Sequence, residues 1–337
     1  MFKQNTLHYL SVAGFAWLVP LIKLASWESP REQLQEIVRL IGLPLIAILV
    51  FLAIWSTAAS RIDTSLGTFP GPTAVVTAAQ GLYQEHLAER EKAVAFYERQ
   101  TKRNDAKLAK NPDAEVKIRD YTGKPTYFDQ IFTSLITVFT GFLVASLIAV
   151  PIGIMCGLSP LLNTAITPII QILKPVSPLA WLPLVTMVVS AVYVSDDPAL
   201  SKSFINSAIT VTLCCMWPTL INTAVGVANI DKDLINVGRV IQLGWFTRVH
   251  KIAIPAALPM IFTGLRISLG IGWMVLIAAE MLAQNPGLGK FVWDEFQNGS
   301  SESLARIMVA VITIGFVGFI LDSFMHTLHK VIAHDEA

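Results

Sequence analysis

The chain has 337 residues, of which 53% are hydrophobic and only 15% are charged, and its mean hydropathy is +0.57. Soluble domains usually carry about 25% charged residues, so this composition excludes an ordinary soluble protein and indicates one built for lipid. The net charge of +1 gives no reason to expect a nucleic-acid partner. The three cysteines lie in apolar runs, which predicts packing residues and no metal site.

The N-terminal segment, residues 1–37, is predicted to be cytoplasmic or interfacial. Its apolar stretch "YLSVAGFAWLVPLI", at 9–22, is short and runs into a lysine, so we expect an interfacial helix that stays in the protein. A further span is the alternative. The first transmembrane helix is predicted at 38–60, because residues 40–60 carry no charge and can cross roughly 30 Å of hydrocarbon.

Residues 61–128 form a long polar segment. It begins with the turn-rich stretch "LGTFPGPT" and continues with "YQEHLAEREKAVAFYERQTKRNDAKLAK", in which Leu87, Val94 and Tyr97 recur at roughly helical spacing among charges of both signs. The pattern predicts an exposed helix outside the bilayer. The charges are compatible both with a solvated spacer and with a docking surface for a soluble partner.

The core, residues 129–330, is predicted to be a bundle of membrane-spanning helices. Its apolar runs lie at 130–173, 175–195, 203–230, 256–283 and 304–328. A helix satisfies its own backbone in lipid, so each run predicts helix. If 171–195 is the proline-broken second half of one span, the chain has six spans. The predicted fold class is therefore all-α integral membrane with about six transmembrane helices, followed by a C-terminal tail at 331–337.

The loop 229–255 joins two of these runs and fixes the expected orientation. It carries four basic residues, Lys232, Arg239, Arg248 and Lys251. The positive-inside rule places such a short basic loop in the cytoplasm. Counting spans from there puts both termini in the cytoplasm and the 61–128 segment in the periplasm.

The first part of this loop is predicted to be a short amphipathic helix. Asp231 and Asp233 suit a helix N-terminus, where side-chain oxygens meet free N–H groups. One face is expected to carry Leu234, Gly238, Ile241 and Trp245. Pro255 suits the start of the next apolar helix. A helix held between two spans can dock into a groove on a soluble subunit and transmit its movement; an ordinary intracellular loop is the alternative.

Four stretches carry a resemblance to a known family. In the loop, residues 236–238 (Asn236, Val237 and Gly238), Gln242, Ile252 and Pro255 stand at the spacing of the pattern Glu-Ala-Ala, three residues, Gly, nine residues, Ile-x-Leu-Pro. The others are "TSLITVFTGFLVASLIAVPIGIMCG" (133–157), "KPVSPLAWLPL" (174–184) and "IPAALPMIFTGLRISLGIGWMVLIAAEML" (254–282). Together they resemble the binding-protein-dependent ABC importer permeases of the nitrate/sulfonate/taurine group. Within that group they are most similar to the nitrate, nitrite, cyanate and bicarbonate branch.

The resemblance implies the type I ABC importer permease fold, also called MetI-like, with an external helical insertion. It implies an inner-membrane subunit that forms the path for a small anion, with nitrate or nitrite first and cyanate, bicarbonate, sulfonate or taurine as alternatives. The implied partners are ATP-binding subunits, a periplasmic solute-binding protein and a second permease copy, and no cofactor is implied. The residues expected at the ATPase contact are Asp231, Asp233, Leu234, Asn236, Val237, Gly238, Arg239, Ile241, Gln242, Ile252 and Pro255.

Six residues are candidates for the translocation path: Lys174, Pro178, Trp181, Pro183, Arg266 and Glu280. The prolines at 175, 178 and 183 are expected to break a helix, and irregular backbone at membrane depth is tolerated where it is buried or lines an aqueous route. Arg266 and Glu280 lie about four turns apart on one helix and are expected to share a face. Arg266 can offer its charge to an anion or form a structural ion pair. Gly153 and Gly157 are predicted to let helices pack closely.

Two motif-like stretches are rejected. "NPGLGKF" has Gln284 and Phe291 where a phosphate loop needs glycine and a hydroxyl residue, so the chain is not expected to be an enzyme and ATP would be hydrolysed by a separate subunit. Asp322, His326 and His329 share one face of the last helix and are expected to pack at an interface, without holding a metal or haem. A secondary anion transporter or channel is the alternative of another class, and it would need paired broken helices in inverted repeats.

Overall fold

The computed structural model describes residues 18–26, 29–64, 67–111, 115–194, 200–300 and 302–334. Within these ranges the regular structure is helical, apart from the antiparallel pair β1 (Asp63–Thr64) and β2 (Gly67–Thr68). The predicted interfacial helix at 9–22 falls mostly outside the described residues. Its last part lies in α1 (Leu18–Ala25).

The first long apolar helix runs without a break from Pro30 to Ala59. It consists of α2 (Pro30–Ile37), a π-helical turn (Val38–Gly42) and α3 (Leu43–Ala59). The apolar side chains of α3 are exposed nearly all round, as expected of a helix that borders lipid. The helix begins before the predicted boundary at residue 38, because proline suits the first turn of a helix.

Four further long helices and one bent pair form the core. The long helices are α5 (Tyr127–Leu158), α8 (Lys202–Ala228), α11 (Ile254–Ala283) and α13 (Ser303–His334), and the pair is α6 (Pro160–Leu173) with α7 (Pro178–Val192). The members of the pair are bent by 99° relative to each other. If the pair counts as one span, the described part of the chain has up to six candidate spans, and the predicted all-α architecture is confirmed.

Shorter elements connect these helices. They are α9 (Lys232–Val240), α10 (Trp245–Arg248), a second π-helical turn (Val249–Ala253) and α12 (Leu288–Asn298). The connection between α3 and α5 contains a long polar helix, α4 (Pro72–Lys110). The segment from Trp245 to Ala283 is one continuous helix of 39 residues, because the π-helical turn joins α10 to α11 directly.

The break between α6 and α7 lies where the sequence predicted one. Pro175 stands in the turn and Pro178 is at the start of α7, where the hydroxyl of Ser177 accepts the N–H of Leu179 at 3.3 Å. Pro183 lies inside α7 and does not break it, so the expectation that all three prolines interrupt the segment is wrong. One interior proline removes a single backbone hydrogen bond, which the neighbouring turns of a packed helix tolerate.

Helix α8 lies at the centre, between α5 and α11. A Cβ atom built on Gly153 would lie 2.6 Å from Cβ of Thr223, and one on Gly157 would lie 2.5 Å from Cβ of Val227. Real Cβ atoms do not approach so closely, so only glycine permits this spacing of the two helices. The predicted packing role of Gly153 and Gly157 is confirmed.

The polar insertion contains one long helix of 39 residues, α4, most of whose side chains are exposed, as predicted. Its first half packs on the core through the buried side chains of Val75 and Leu82. Near its middle, Glu85 forms an ion pair with Arg306 of α13. Beyond this point His86 and Arg90 of α4 contact Thr126 and Asp129 at the start of α5, and the chain returns beside α4 along residues 115–126.

Candidate coupling loop and translocation path

The amphipathic helix α9 begins where the two aspartates predicted it. The side-chain Oδ1 of Asp231 accepts the N–H of Asp233 at 2.9 Å, which satisfies one of the free donors at the helix start. Asp233 lies in the first turn, where negative charge is favoured by the helix dipole. The predicted short helix after Asp231 is therefore confirmed.

The helix ends in a Schellman turn at Gln242. This residue has φ 49°, in the left-handed region, and the N–H of Leu243 reaches back to the carbonyl of Gly238 at 3.0 Å. A left-handed conformation costs an ordinary residue about 1 kcal/mol, and glycine adopts it without that cost. The turn therefore stands under backbone strain with glutamine in it.

Gly238 is buried in the loop. A Cβ atom there would lie 2.9 Å from Cδ1 of Ile252, which follows in the second π-helical turn. Of the four residues predicted for one apolar face, Leu234, Ile241 and Trp245 are exposed, and Gly238 is covered by the segment that follows it. The following segment packs against α9 at Gly238, where the absence of a side chain leaves room for Ile252.

An apolar surface of the loop remains exposed. Ile241 is 60% exposed and Trp245 is 63% exposed, and Leu234 and Val240 are exposed beside them. Asp233, Asn236, Val240 and Ile241 line a shallow groove of about 350 Å³. The side chains of Val237 and Arg239 lie outside the described residues. Exposed apolar groups with polar neighbours are typical of a surface that a partner covers.

The loop is joined rigidly to the core. Pro255 stands in the first turn of α11, as predicted, and no turn separates α11 from α10. Phe246 stacks on His250 with their ring centroids 6.5 Å apart. The part of the loop that follows Gly244 is thus continuous with α11.

The proline-rich path candidates lie at the bend between α6 and α7. Lys174 closes the last turn of α6 through its N–H to the carbonyl of Ile170 at 2.9 Å, and its side chain is exposed. The indole N–H of Trp181 is buried and has no hydrogen-bond partner among the described residues. An unpaired buried donor costs about 1–3 kcal/mol, so this indole is available to a further group.

Arg266 is held in an ion pair with the last helix. Its Nε and Nη2 donate to the two carboxylate oxygens of Asp322, both at 2.7 Å, and its Nη1 lies 3.1 Å from Nδ1 of His326. Both charged side chains are partly exposed, in a groove that also borders His329. Of the two roles expected for Arg266, the contacts in this structure are those of the structural ion pair.

Glu280 is fully enclosed, with 0% of its surface exposed. Its carboxylate accepts the hydroxyl of Ser134 at 2.8 and 2.9 Å and the N–H of Gly289 at 3.0 Å. Arg266 contacts α13, whereas Glu280 contacts α5 and α12, so these two residues of α11 pack against different helices. The carboxylate joins α5, the end of α11 and the start of α12.

Sequence reasoning missed the partners of Glu280. The hydroxyl of Ser134 also accepts the N–H of Leu288 at 2.9 Å, and the amide of Asn285 donates to Thr137 at 3.2 Å. A Cβ atom on Gly287 would overlap the carboxylate. The signal was present in "NPGLGKF", whose glycines make room for a buried carboxylate and not for a phosphate.

Comparison with known proteins identifies the family. Residues 149–334 match the profile of the family described as "Binding-protein-dependent transport system inner membrane component". The chain belongs to this family. It is a permease subunit of an ABC importer, and ATP hydrolysis is the task of other subunits.

Two relatives place the permease within the family. The nitrate import permease protein NrtB of Leptolyngbya laminosa is 37% identical over 209 residues, which are 62% of this chain and 70% of the relative. The bicarbonate transport system permease protein CmpB of Synechococcus elongatus is 34% identical over 290 residues, which are 86% of this chain and 88% of the relative. Both belong to the branch that the sequence resembles.

A solved structure supports the fold. A chain of the MetNI methionine ABC transporter, crystallised in inward-facing conformations, aligns with a TM-score of 0.52 at 13% identity, over 61% of the permease and 95% of that chain. At this identity the likeness concerns the fold alone. The predicted MetI-like fold is confirmed, and the permease is a multi-pass protein of the inner membrane.

Family membership also gives a reason for the strained turn of the permease. Gln242 stands at the position of the glycine in the family's loop pattern, and that position has a left-handed backbone here. Glycine is favoured where φ is positive because it has no Cβ. The permease thus has glutamine where the pattern has glycine, in a turn whose backbone favours glycine.

Proposed function

We propose that the permease carries a small monovalent oxyanion, with nitrate as the first candidate. The observation that supports this most strongly is the likeness to NrtB, whose name gives nitrate as its substrate. Bicarbonate is the second candidate, because the likeness to CmpB extends over 86% of this chain. Nitrate and bicarbonate are both small, planar and singly charged, so one polar path can serve either.

We propose that the anion passes the bend between α6 and α7. Irregular backbone in a membrane lies beside protein or water, and the exposed ammonium of Lys174 stands at this bend. Pro178 and Pro183 shape α7, and the unpaired indole of Trp181 can donate to an oxyanion. The positive charge of Arg266 is balanced by Asp322, so Arg266 attracts an anion only if that ion pair opens. We assign Glu280 to the packing of the helices.

We propose that transport follows alternating access driven by ATP. Six spans in one chain cannot readily form a symmetric path above two ATP-binding subunits, so two copies pair about a twofold axis. The loop 229–255 faces the cytoplasm with both termini, and the 61–128 segment faces the periplasm and the solute-binding protein. Closure of the ATPases moves the exposed surface around Ile241, and α11 carries that movement into the membrane.

Reconstituted transport tests this proposal. The permease, its ATP-binding subunits and its solute-binding protein are placed in proteoliposomes, and uptake of labelled nitrate and labelled bicarbonate is measured with and without ATP. We expect nitrate uptake that needs both ATP and the binding protein. Uptake that proceeds equally without ATP would assign the chain to secondary transport or a channel. Uptake of bicarbonate alone would transfer the assignment to the second candidate.

A further inference from the structure

The distal part of the insertion, residues 93–111 and 115–124, forms a folded arm. The carboxamide of Gln100 pairs with both backbone groups of Arg119, donating to its carbonyl at 3.1 Å and accepting from its N–H at 2.9 Å. The N–H of Tyr121 donates to the hydroxyl of Tyr97 at 3.1 Å, and the hydroxyl of Tyr121 donates to Glu89 at 2.7 Å. These bonds fasten the returning chain to α4, so the arm is a built surface and not a loose spacer.

The arm presents three arginines around one cleft. Arg99, Arg103 and Arg119 line a space of about 260 Å³ with Phe96 and Gln100. Gln100 is buried and fixes the backbone of Arg119 beside the other two. Among the described residues, no carboxylate lies within ion-pair distance of any of the three guanidinium groups.

The charge of this region differs from that of the rest of the chain. Residues 99–124 contain eight basic and four acidic residues, whereas the whole chain carries a net charge of +1. Like charges gathered at one cleft repel each other, and a partner of opposite charge relieves the repulsion. Guanidinium groups bind carboxylates in a planar, bidentate manner, which favours acidic side chains as the partner groups.

An apolar anchor lies next to the arginines. Ile118 precedes Arg119 and is 81% exposed. Arginines beside an exposed aliphatic side chain and an aromatic ring, here that of Phe96, have the composition of a protein interface. A free small anion would use the arginines and leave Ile118 without a role.

We propose that this arm is a docking site for an acidic surface of the solute-binding protein. The carboxylates of that protein enter the cleft of Arg99, Arg103 and Arg119, and Ile118 packs at the edge. The proposal rests on the proposed function, since it needs a binding protein that delivers the anion. Complementary charge then accelerates the encounter and aligns the loaded protein above the permease.

Charge-matched variants test the proposal. One variant carries Arg99→Gln, Arg103→Gln and Arg119→Gln, and the control carries Lys102→Gln, Lys107→Gln and Lys117→Gln, which removes the same charge from the same arm outside the cleft. The complete complex is held in nanodiscs of neutral phospholipid and, in a parallel set, in nanodiscs that contain phosphatidylglycerol. The measurement is the Kd of the purified solute-binding protein at low and high salt, with the ATPase activity that it stimulates.

We expect the cleft variant to raise the Kd by about tenfold or more, corresponding to about 1.4 kcal/mol, and the control to raise it by less than about threefold. A variant with three Arg→Lys changes keeps the charge and loses the planar fork, so its Kd should lie between those of the parent and the cleft variant. Equal thermal unfolding of all the complexes checks that each is folded.

Three outcomes would overturn the proposal. The first is a cleft variant that binds as tightly as the parent, and the second is a control that loses as much affinity as the cleft variant. The third is a loss confined to nanodiscs that contain phosphatidylglycerol, which would assign the arginines to lipid. Failure of the proposed function is separate, because the parent complex itself would then show no stimulation by the binding protein.

Discussion

Replacing Glu280 by alanine should destabilise the permease more than most single changes. The substitution leaves the hydroxyl of Ser134 and the N–H of Gly289 without their acceptor, in a site that has no exposed surface. Each buried unpaired donor costs about 1–3 kcal/mol, and the space left by the side chain adds to this. We therefore expect a loss of about 3–6 kcal/mol in the free energy of unfolding.

Glu280→Gln should be milder, at about 1–2 kcal/mol. The amide keeps one acceptor oxygen and nearly the same volume, and the hydroxyl of Ser134 can rotate to meet it. In a protein of this size 1 kcal/mol corresponds to about 2 °C, so Glu280→Ala should lower the Tm by about 6–12 °C.

The assay is thermal unfolding of the purified permease in one detergent, followed by tryptophan fluorescence and by size exclusion. Glu98→Ala is the control, because Glu98 is exposed on α4. The double variant of Ser134→Ala and Glu280→Ala should cost less than the sum of the two single variants, since both remove the same network. A Glu280→Ala protein with the Tm of the parent, or strictly additive losses, would refute the reasoning.

Three further predictions concern the coupling loop and the ion pair. Gln242→Gly should stabilise the permease by about 0.5–1 kcal/mol because φ is 49° there, and Gln242→Val should destabilise it. Thermal unfolding measures both changes, and equal shifts in the Tm would contradict the turn assignment. Ile241→Asp should not change the Tm of the isolated permease, because the side chain is 60% exposed. It should reduce the amount of ATP-binding subunit that co-purifies with the permease, and full recovery would exclude this surface as the contact. Arg266→Gln should reduce expression or assembly, because it leaves the carboxylate of Asp322 unpaired within a membrane-spanning helix, and adding Asp322→Asn should restore assembly. An Arg266→Gln complex that assembles and transports at the parent rate would refute both roles of Arg266.

The fold could be predicted further than the site could. Charge-free runs and prolines locate the spans and the bend at 174–177, because these signals are local in the sequence. The start of α9 at Asp231 is predictable for the same reason. The contacts of Glu280 with Ser134 and of Arg266 with Asp322 join residues far apart in the chain, and no local periodicity encodes such pairs.

Gly238 shows how a local pattern can mislead. Its position in the helical repeat placed it with Leu234, Ile241 and Trp245, which are exposed, whereas Gly238 is buried. Contact with Ile252 decides its burial, and that contact depends on how the chain returns after Leu243. Helical periodicity predicts on which side of a helix a glycine lies, but it does not predict whether another segment packs there.

The unbroken helix from Trp245 to Ala283 is long enough to act as a rigid lever. At 1.5 Å per residue it is about 58 Å long, and the ion pair of Arg266 with Asp322 divides it into arms of about 32 and 26 Å. If that pair is the pivot, a tilt of about 5° moves the end at Trp245 by about 3 Å. It moves the end near Glu280 by about 2 Å in the opposite direction. An inward push on the loop would thus reach the junction of α5, α11 and α12 with its sign reversed.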